Sequence, residues 1–327
     1  MTKFSILNSQ FSINHRLLPA IKIMLIAGAY AVVGYYLVTF DNYPLLLDTL
    51  WRFDIHCRLL LAAVVALMPL NLLLEALKWR SMIWHIQHIS VARAMQATLI
   101  GQVGAVVSPN RIADYPTRCI AIEPHNRLSA TILGYISSWT LTIVIGTAGI
   151  IAASCYLTHY PPQLFDSQYL ITSATIVIII IVILFVTIPI IGKTTHYSHR
   201  IRSLWHTTWH MVSTTPLQNI TVATLFSLLR YTLFSTQYYL TLTAFGVNLS
   251  PAEALMTIPT IYLLTTITPT VTLSEAAVRT SYAIAVLAPI SSLAPLITLA
   301  TTTLWCINNG IPIVAGTYLF KLKTKPN

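Results

Sequence analysis

Long apolar runs separated by short polar stretches set the rhythm of this chain. Leu17–Phe40 contains one charge, Lys22, near its start. Leu59–Trp79 follows, with Glu75 and Lys78 at its end. Leu128–Thr158 and Tyr169–Gly192 are long runs, the first without a single charge. Leu217–Val247 is interrupted by one charge, Arg230, and Thr280–Phe320 is broken by Pro289 and Pro295. A membrane-spanning helix needs about 20 apolar residues, so these six runs predict full crossings. Two further runs differ. Ala94–Ser108 is too short for an ordinary crossing, and Ala254–Ser274 is just long enough but holds Pro259 and Pro269. The longest aqueous stretch, Lys193–Pro216, falls well below the roughly 40–50 residues an independent domain needs. The pattern predicts one membrane domain over residues 1–327.

Composition agrees with the pattern. Of 327 residues 55% are hydrophobic and 9% charged, with mean hydropathy +0.71. A soluble domain carries about 25% charged residues, so too little charge is present here to solvate a globular surface. This excludes disorder, a soluble enzyme and a soluble nucleic-acid binder. The net charge of +10 reads first as topology. With the N-terminus inside, the inner segments hold most of the Lys and Arg. The outer ones hold mainly Arg52 and Arg58, beside Asp41, Asp48 and Asp54. The expected location is the inner membrane of a bacterium, multi-pass, with both termini inside. No cleavable signal peptide is expected, because the first fifteen residues lack an apolar core. Cys57, Cys119, Cys155 and Cys306 show no CxxC spacing and read as small buried hydrophobes.

The two halves repeat at a constant offset. Ser90-Val-Ala-Arg-Ala-Met matches Ser250-Pro-Ala-Glu-Ala-Leu, and a Pro follows each Ser at the same distance, at Pro109 and Pro269. A polar cluster follows each Pro, and in each an Arg stands four positions after an acid: Asp114 and Arg118, Glu275 and Arg279. Repeat 1 covers about 57–158 and repeat 2 about 217–320. The short runs then read as re-entrant hairpins, each a half-helix in, a polar break and a half-helix out. A rival reading makes Ala254–Ser274 a full span. With six crossings the hairpins enter from opposite sides, an inverted repeat that builds a site near the bilayer midplane. The expected fold is thus an all-α polytopic membrane protein with six full transmembrane helices and two re-entrant hairpins.

Charges at membrane depth cost at least about 2.5–3.5 kcal/mol each on insertion scales, so they need a reason. Acid and Arg four apart share a helix face and can pair. A helix start favours the acid and suits an anion. Arg111, Arg118 and Arg279 are therefore expected to hold a phosphate-bearing head group. Asp114 and Glu275 would orient them, accept an amine or carry a proton. The plainer alternative, in which each pair locks its own hairpin, leaves Arg111 unexplained. Arg230 is expected in the same cavity, with Glu275 or Glu75 as partner. Glu75 is a supporting residue, though snorkelling beside Lys78 explains it too. Pro109, Pro269, Thr268, Thr272 and Ser274 complete the supporting set, although hydroxyls in spans commonly bond their own backbone. His196, His199, His206 and His210 lie close together. Their apolar neighbours recur at helical spacing, which predicts an interfacial amphipathic helix over about 196–213 rather than a metal site. No cofactor, metal or catalytic triad is expected.

The Pro-x-Arg-x-small-acid cluster of Pro109–Arg118 and the Pro, polar, Glu-Ala, Arg cluster of Pro269–Arg279 resemble the lysylphosphatidylglycerol synthase transmembrane region. That is a flippase-like family of integral membrane proteins, and the likeness covers about Leu59 to Phe320. It implies movement of an aminoacylated phospholipid between leaflets. It also implies a stand-alone member, because the chain stops at Asn327 without the family's synthase domain. The second motif departs from the family: Thr270, Val271 and Thr272 stand where Gly is expected near the turn.

The expected function is therefore translocation of a phosphate-bearing amphiphilic lipid or lipid-linked intermediate. The alternatives are a membrane-embedded transferase acting on a lipid-linked substrate and a non-catalytic partner of a lipid synthase. Expected partners are anionic or aminoacylated phospholipid, or polyprenyl-linked lipid, and no nucleic acid. A homo-oligomer or a partner synthase stays open.

Overall fold

The computed structural model describes residues 54–108, 110–160, 208–209, 211–268, 270 and 272–324. The expected span at 17–40, the one at 169–192, Pro109, Pro269 and most of the segment at 196–213 lie outside the described residues. Among the described residues every regular element is helical. In chain order they are α1 (Ile55–Ile83), α2 (Val91–Val107), α3 (Asp114–Arg118), α4 (Arg127–His159), α5 (Leu217–Ala244), α6 (Pro251–Ile267), α7 (Thr272–Leu287), α8 (Ala294–Trp305) and α9 (Ile311–Thr324). A π-turn, Cys306–Gly310, joins α8 to α9.

Local chemistry explains where these helices start and stop. Asp54 caps α1 by accepting from the Ile55 N–H. Ser90 caps α2 through the Arg93 N–H. Ser250 caps α6 through the Glu253 N–H, while the Glu253 carboxylate takes the Ser250 N–H, a reciprocal capping box. Thus α2 and α6, which occupy matching positions in the two repeats, are both 17 residues long and both begin after a capping Ser.

The run 254–274 is not one continuous helix. It ends at Ile267, and α7 begins at Thr272 after a break. The run 280–320 is likewise divided. Its first part, through Leu287, completes α7, and a turn around Pro289 separates it from α8. The N–H groups of Ile290 and Ser291 both bond the Leu287 carbonyl, which closes that turn.

Among the described residues, two helical stretches, Ile55–Ile83 and Pro124–His159, are long and apolar enough to cross a membrane. Their most apolar windows are only 28% and 22% buried. Large apolar side chains face outward instead: Ile143 is 62% exposed, Ile151 61% and Leu225 54%. The interior holds charge: Lys78 and Arg118 are each 1% exposed. The cysteines follow the same inversion and depart from expectation. Cys119 is buried, whereas Cys155 and Cys306 are exposed, because their helices turn apolar faces outward.

Helix α1 packs along α5, α4 along α6, and α9 along α2. The α2–α9 contact is so close that a Cβ on Gly316 would lie 2.0 Å from the Leu99 carbonyl oxygen. Pro69 interrupts the hydrogen-bond ladder of α1. About one turn earlier, the Gln237 amide donates to the Val64 carbonyl at 2.9 Å.

Candidate functional site

The breaks after α2 and α6 meet tip to tip. The Asn110 N–H donates to the Thr270 carbonyl at 2.7 Å, and the Thr270 N–H donates to Asn110 Oδ1 at 2.8 Å. These two are 160 apart in the chain, the same offset that separates Ser90 from Ser250. The Thr272 hydroxyl adds a bond to the Ala105 carbonyl at 2.8 Å. On the first tip, the Ser108 hydroxyl accepts from the Ala113 N–H at 2.9 Å. The turn itself is left-handed, with φ of 48° at Asn110 and 58° at Arg111. Asn visits that region readily, whereas Arg does so at a cost.

The left-handed turn carries Arg111 into a small polar site. Its Nη1 donates to Asn309 Oδ1 at 2.8 Å and its Nη2 to Gln102 Oε1. The Arg111 side chain is 30% exposed and stands 3.9 Å from Glu275 Oε2. On the other side Glu275 accepts from Arg279 Nη2. Arg279 Nε is buried without a partner, and its guanidinium carbon lies 5.5 Å from the Tyr262 ring centroid. Two arginines thus share one carboxylate at the meeting point of the tips.

A second cluster is deeper and tighter. Arg118 grips Asp114 with two parallel bonds, Nε to Oδ1 at 2.6 Å and Nη2 to Oδ2 at 2.8 Å. Its third donor, Nη1, reaches Glu75 Oε1 at 2.9 Å. The other Glu75 oxygen takes Lys78 at 2.8 Å and Arg230 at 2.7 Å. Three cations surround two carboxylates, and all are buried except Arg230, whose side chain is 23% exposed. Gly101 makes room for this: a Cβ there would sit 2.1 Å from Asp114 Oδ1. Arg118 is a locking residue in this geometry, with its donors committed to Asp114 and Glu75. Arg230 pairs with Glu75 across α1 and α5 rather than with Glu275.

Polar side chains link the two clusters. Arg230 Nε donates to Asn71 Oδ1 at 2.8 Å, Asn71 to Asn308 Oδ1 at 3.3 Å, and Asn308 to Gln237 Oε1 at 3.1 Å. The next residue, Asn309, holds Arg111. The π-turn therefore offers consecutive amides to different clusters, and such turns recur at functional sites.

The structure brings Arg111, Glu275 and Arg279 together, and separately Asp114, Arg118, Arg230 and Glu75. Of the hydroxyls, Thr272 ties the tips. Thr268 bonds its own helix at the Leu264 carbonyl and also meets Tyr282 Oη at 2.7 Å. Ser274 is buried in α7. Sequence reasoning missed Asn71, Gln102, Gln237, Asn308 and Asn309. A lone amide in an apolar run was the available signal. Among the described residues no group of three or more His, Cys, Asp or Glu is placed to hold a metal ion.

The chain matches no protein-family model, no curated protein and no solved structure.

Proposed function

We propose that this is a polytopic inner-membrane protein of six full crossings and two re-entrant hairpins in an inverted repeat. In this reading it carries a phosphate-bearing amphiphilic lipid between leaflets. The two arginines sharing Glu275 where the tips meet are the observation that carries the reading. They leave one positive charge in excess, on a partly accessible side chain, beside a guanidinium nitrogen lacking a partner. A head-group phosphate supplies both the missing charge and the missing acceptor. The start of α7, where Thr272 and Glu275 lie, adds helix-start N–H groups of the kind that favour anions in broken-helix transporters. Apolar side chains on the outside and charge on the inside support the membrane setting. The motif resemblance to the lysylphosphatidylglycerol synthase transmembrane region supports the substrate class.

Movement then involves the tip contact. For one repeat to rock against the other, these tip bonds and the Arg230–Glu75 pair must break while the α1–α5, α4–α6 and α9–α2 faces slide. The buried Arg118–Asp114–Glu75 cluster braces the first repeat, and Arg230 of the second repeat joins it at Glu75.

The test uses protein in liposomes carrying head-group-labelled lipids and an impermeant quencher outside. Phosphate-bearing lipids are expected to become accessible faster than in protein-free vesicles. Replacing Arg279 or Arg111 by Ala should slow this about tenfold or more, the loss of one charge-assisted bond. No acceleration for any phosphate-bearing lipid overturns translocation and directs attention to transferase activity.

A further inference from the structure

A groove of about 390 Å³ runs between α5 and α6. Its α6 wall is Pro251, Ala254, Leu255, Ile258 and Pro259, which recur at three- and four-residue spacing and form one helix face. Its α5 wall includes Tyr231, Thr232, Ser235, Thr236 and Tyr239, again one face. We propose that this groove holds one aliphatic chain of the amphiphile whose head group occupies the Arg111–Arg279 site, an inference that rests on the function proposed above.

The chemistry of the walls suits a hydrocarbon. Among the described residues no charged side chain lines the groove. The Thr232 hydroxyl bonds the Leu229 carbonyl and that of Thr236 bonds the Thr232 carbonyl, both within α5. The Tyr239 hydroxyl donates to the Leu249 carbonyl. These donors are therefore taken, whereas the Ser235 hydroxyl is buried without a partner, so the surface left for a ligand is apolar around one polar point. The volume sits at the small end of ligand sites, which suits a single chain. Residues 251 to 259 span about 12 Å at about 1.5 Å per residue. Thr232, Thr236 and Leu255 at the rim are exposed, so the groove opens sideways, toward lipid in the membrane reading.

A chain of ring contacts connects its wall to the head-group site. Tyr231 meets Phe234 edge-on at 5.5 Å, and Phe234 meets Tyr262 at 4.6 Å. Tyr262 carries Arg279 over its ring, and it follows Pro259 by three positions on α6. The buried Phe234–Tyr262 pair thus lies between the groove and the guanidinium, so an amphiphile with its head at Arg279 and a chain in the groove runs alongside these rings or displaces them.

Two lipid probes test this in the full-length protein: a phosphatidic acid and a neutral diacylglycerol, each with a diazirine on one acyl chain. After illumination, labelled residues are mapped by mass spectrometry. Leu225 and Leu228, exposed on α5 outside the groove, report casual lipid contact. Labelling of Tyr231–Tyr239 and Pro251–Pro259 is expected to exceed that of Leu225 and Leu228 about fivefold. Ala254→Trp should remove the excess by filling the groove. Thr236→Phe, placed on the exposed rim, does the same should Ala254→Trp fail to fold. Equal labelling inside and outside the groove, with both probes, overturns the proposal. If both probes favour the groove equally, in the parent and in Arg279→Ala, the groove assignment stands and the head-group reading fails. If the phosphate probe gains and Arg279→Ala removes only that gain, both stand.

Discussion

Arg111 and Arg118 stand close together in the chain and have opposite roles in the structure. Arg118 is 1% exposed and joins Asp114 to Glu75. Removing it strands the buried Asp114 carboxylate, while Glu75 keeps Lys78 and Arg230, so Arg118→Ala should cost about 3–5 kcal/mol. A thermal unfolding curve in detergent would show a large loss whether or not lipid is present. Arg111 is partly exposed and sits in a left-handed turn that L side chains disfavour by about 1–2 kcal/mol. Arg111→Gly relieves that strain while losing the bonds to Asn309 and Gln102. Stability should stay close to that of the parent while head-group binding falls. A melting temperature as low as that of Arg118→Ala would make Arg111 a structural residue and remove it from the site.

At the scale of elements, the π-turn between α8 and α9 organises the polar interior. Within it Asn308 and Asn309 reach different partners, as adjacent helical positions point about 100° apart. Double-mutant cycles on stability should therefore separate them. Asn308→Ala should couple with Gln237→Ala, and Asn309→Ala with Arg111→Ala, by about 0.5–3 kcal/mol each. Cross-pairing Asn308→Ala with Arg111→Ala should give coupling near zero. Equal coupling in every pairing would mean that the turn responds as one rigid unit.

For the whole molecule, the contact between Asn110 and Thr270 is where the proposed repeats touch through a backbone bond. In sheets, backbones joined by N–H to carbonyl bonds bring Cα atoms to about 5.5 Å, a separation that a disulfide spans. In a background with Cys57, Cys119, Cys155 and Cys306 replaced by Ser, Cys at 110 and 270 should bridge on mild oxidation. If rocking of the repeats carries the head group, the oxidised protein stops translocating and reduction restores it. Full activity in the oxidised state would exclude motion at this contact.

The sequence by itself determined the helical, apolar character of the chain, because run length and charge depletion are local properties. It also determined the two acid–Arg pairs, since partners four positions apart meet on any helix. The end of α6 at Ile267 agrees with the polar break read after the Pro of this run, and not with the rival full span over 254–274. The tertiary structure alone decided which cluster each charge joins. Arg230 reaches Glu75 across 155 positions of chain, and Asn71 reaches Asn308 across 237. No spacing rule encodes such pairings, which follow from how α1, α5 and the π-turn pack. The π-turn itself was invisible, since one inserted residue leaves the hydrophobic pattern of a long helix nearly unchanged. Its effect, turning two adjacent amides toward two separate clusters, arises only when the surrounding helices close around it.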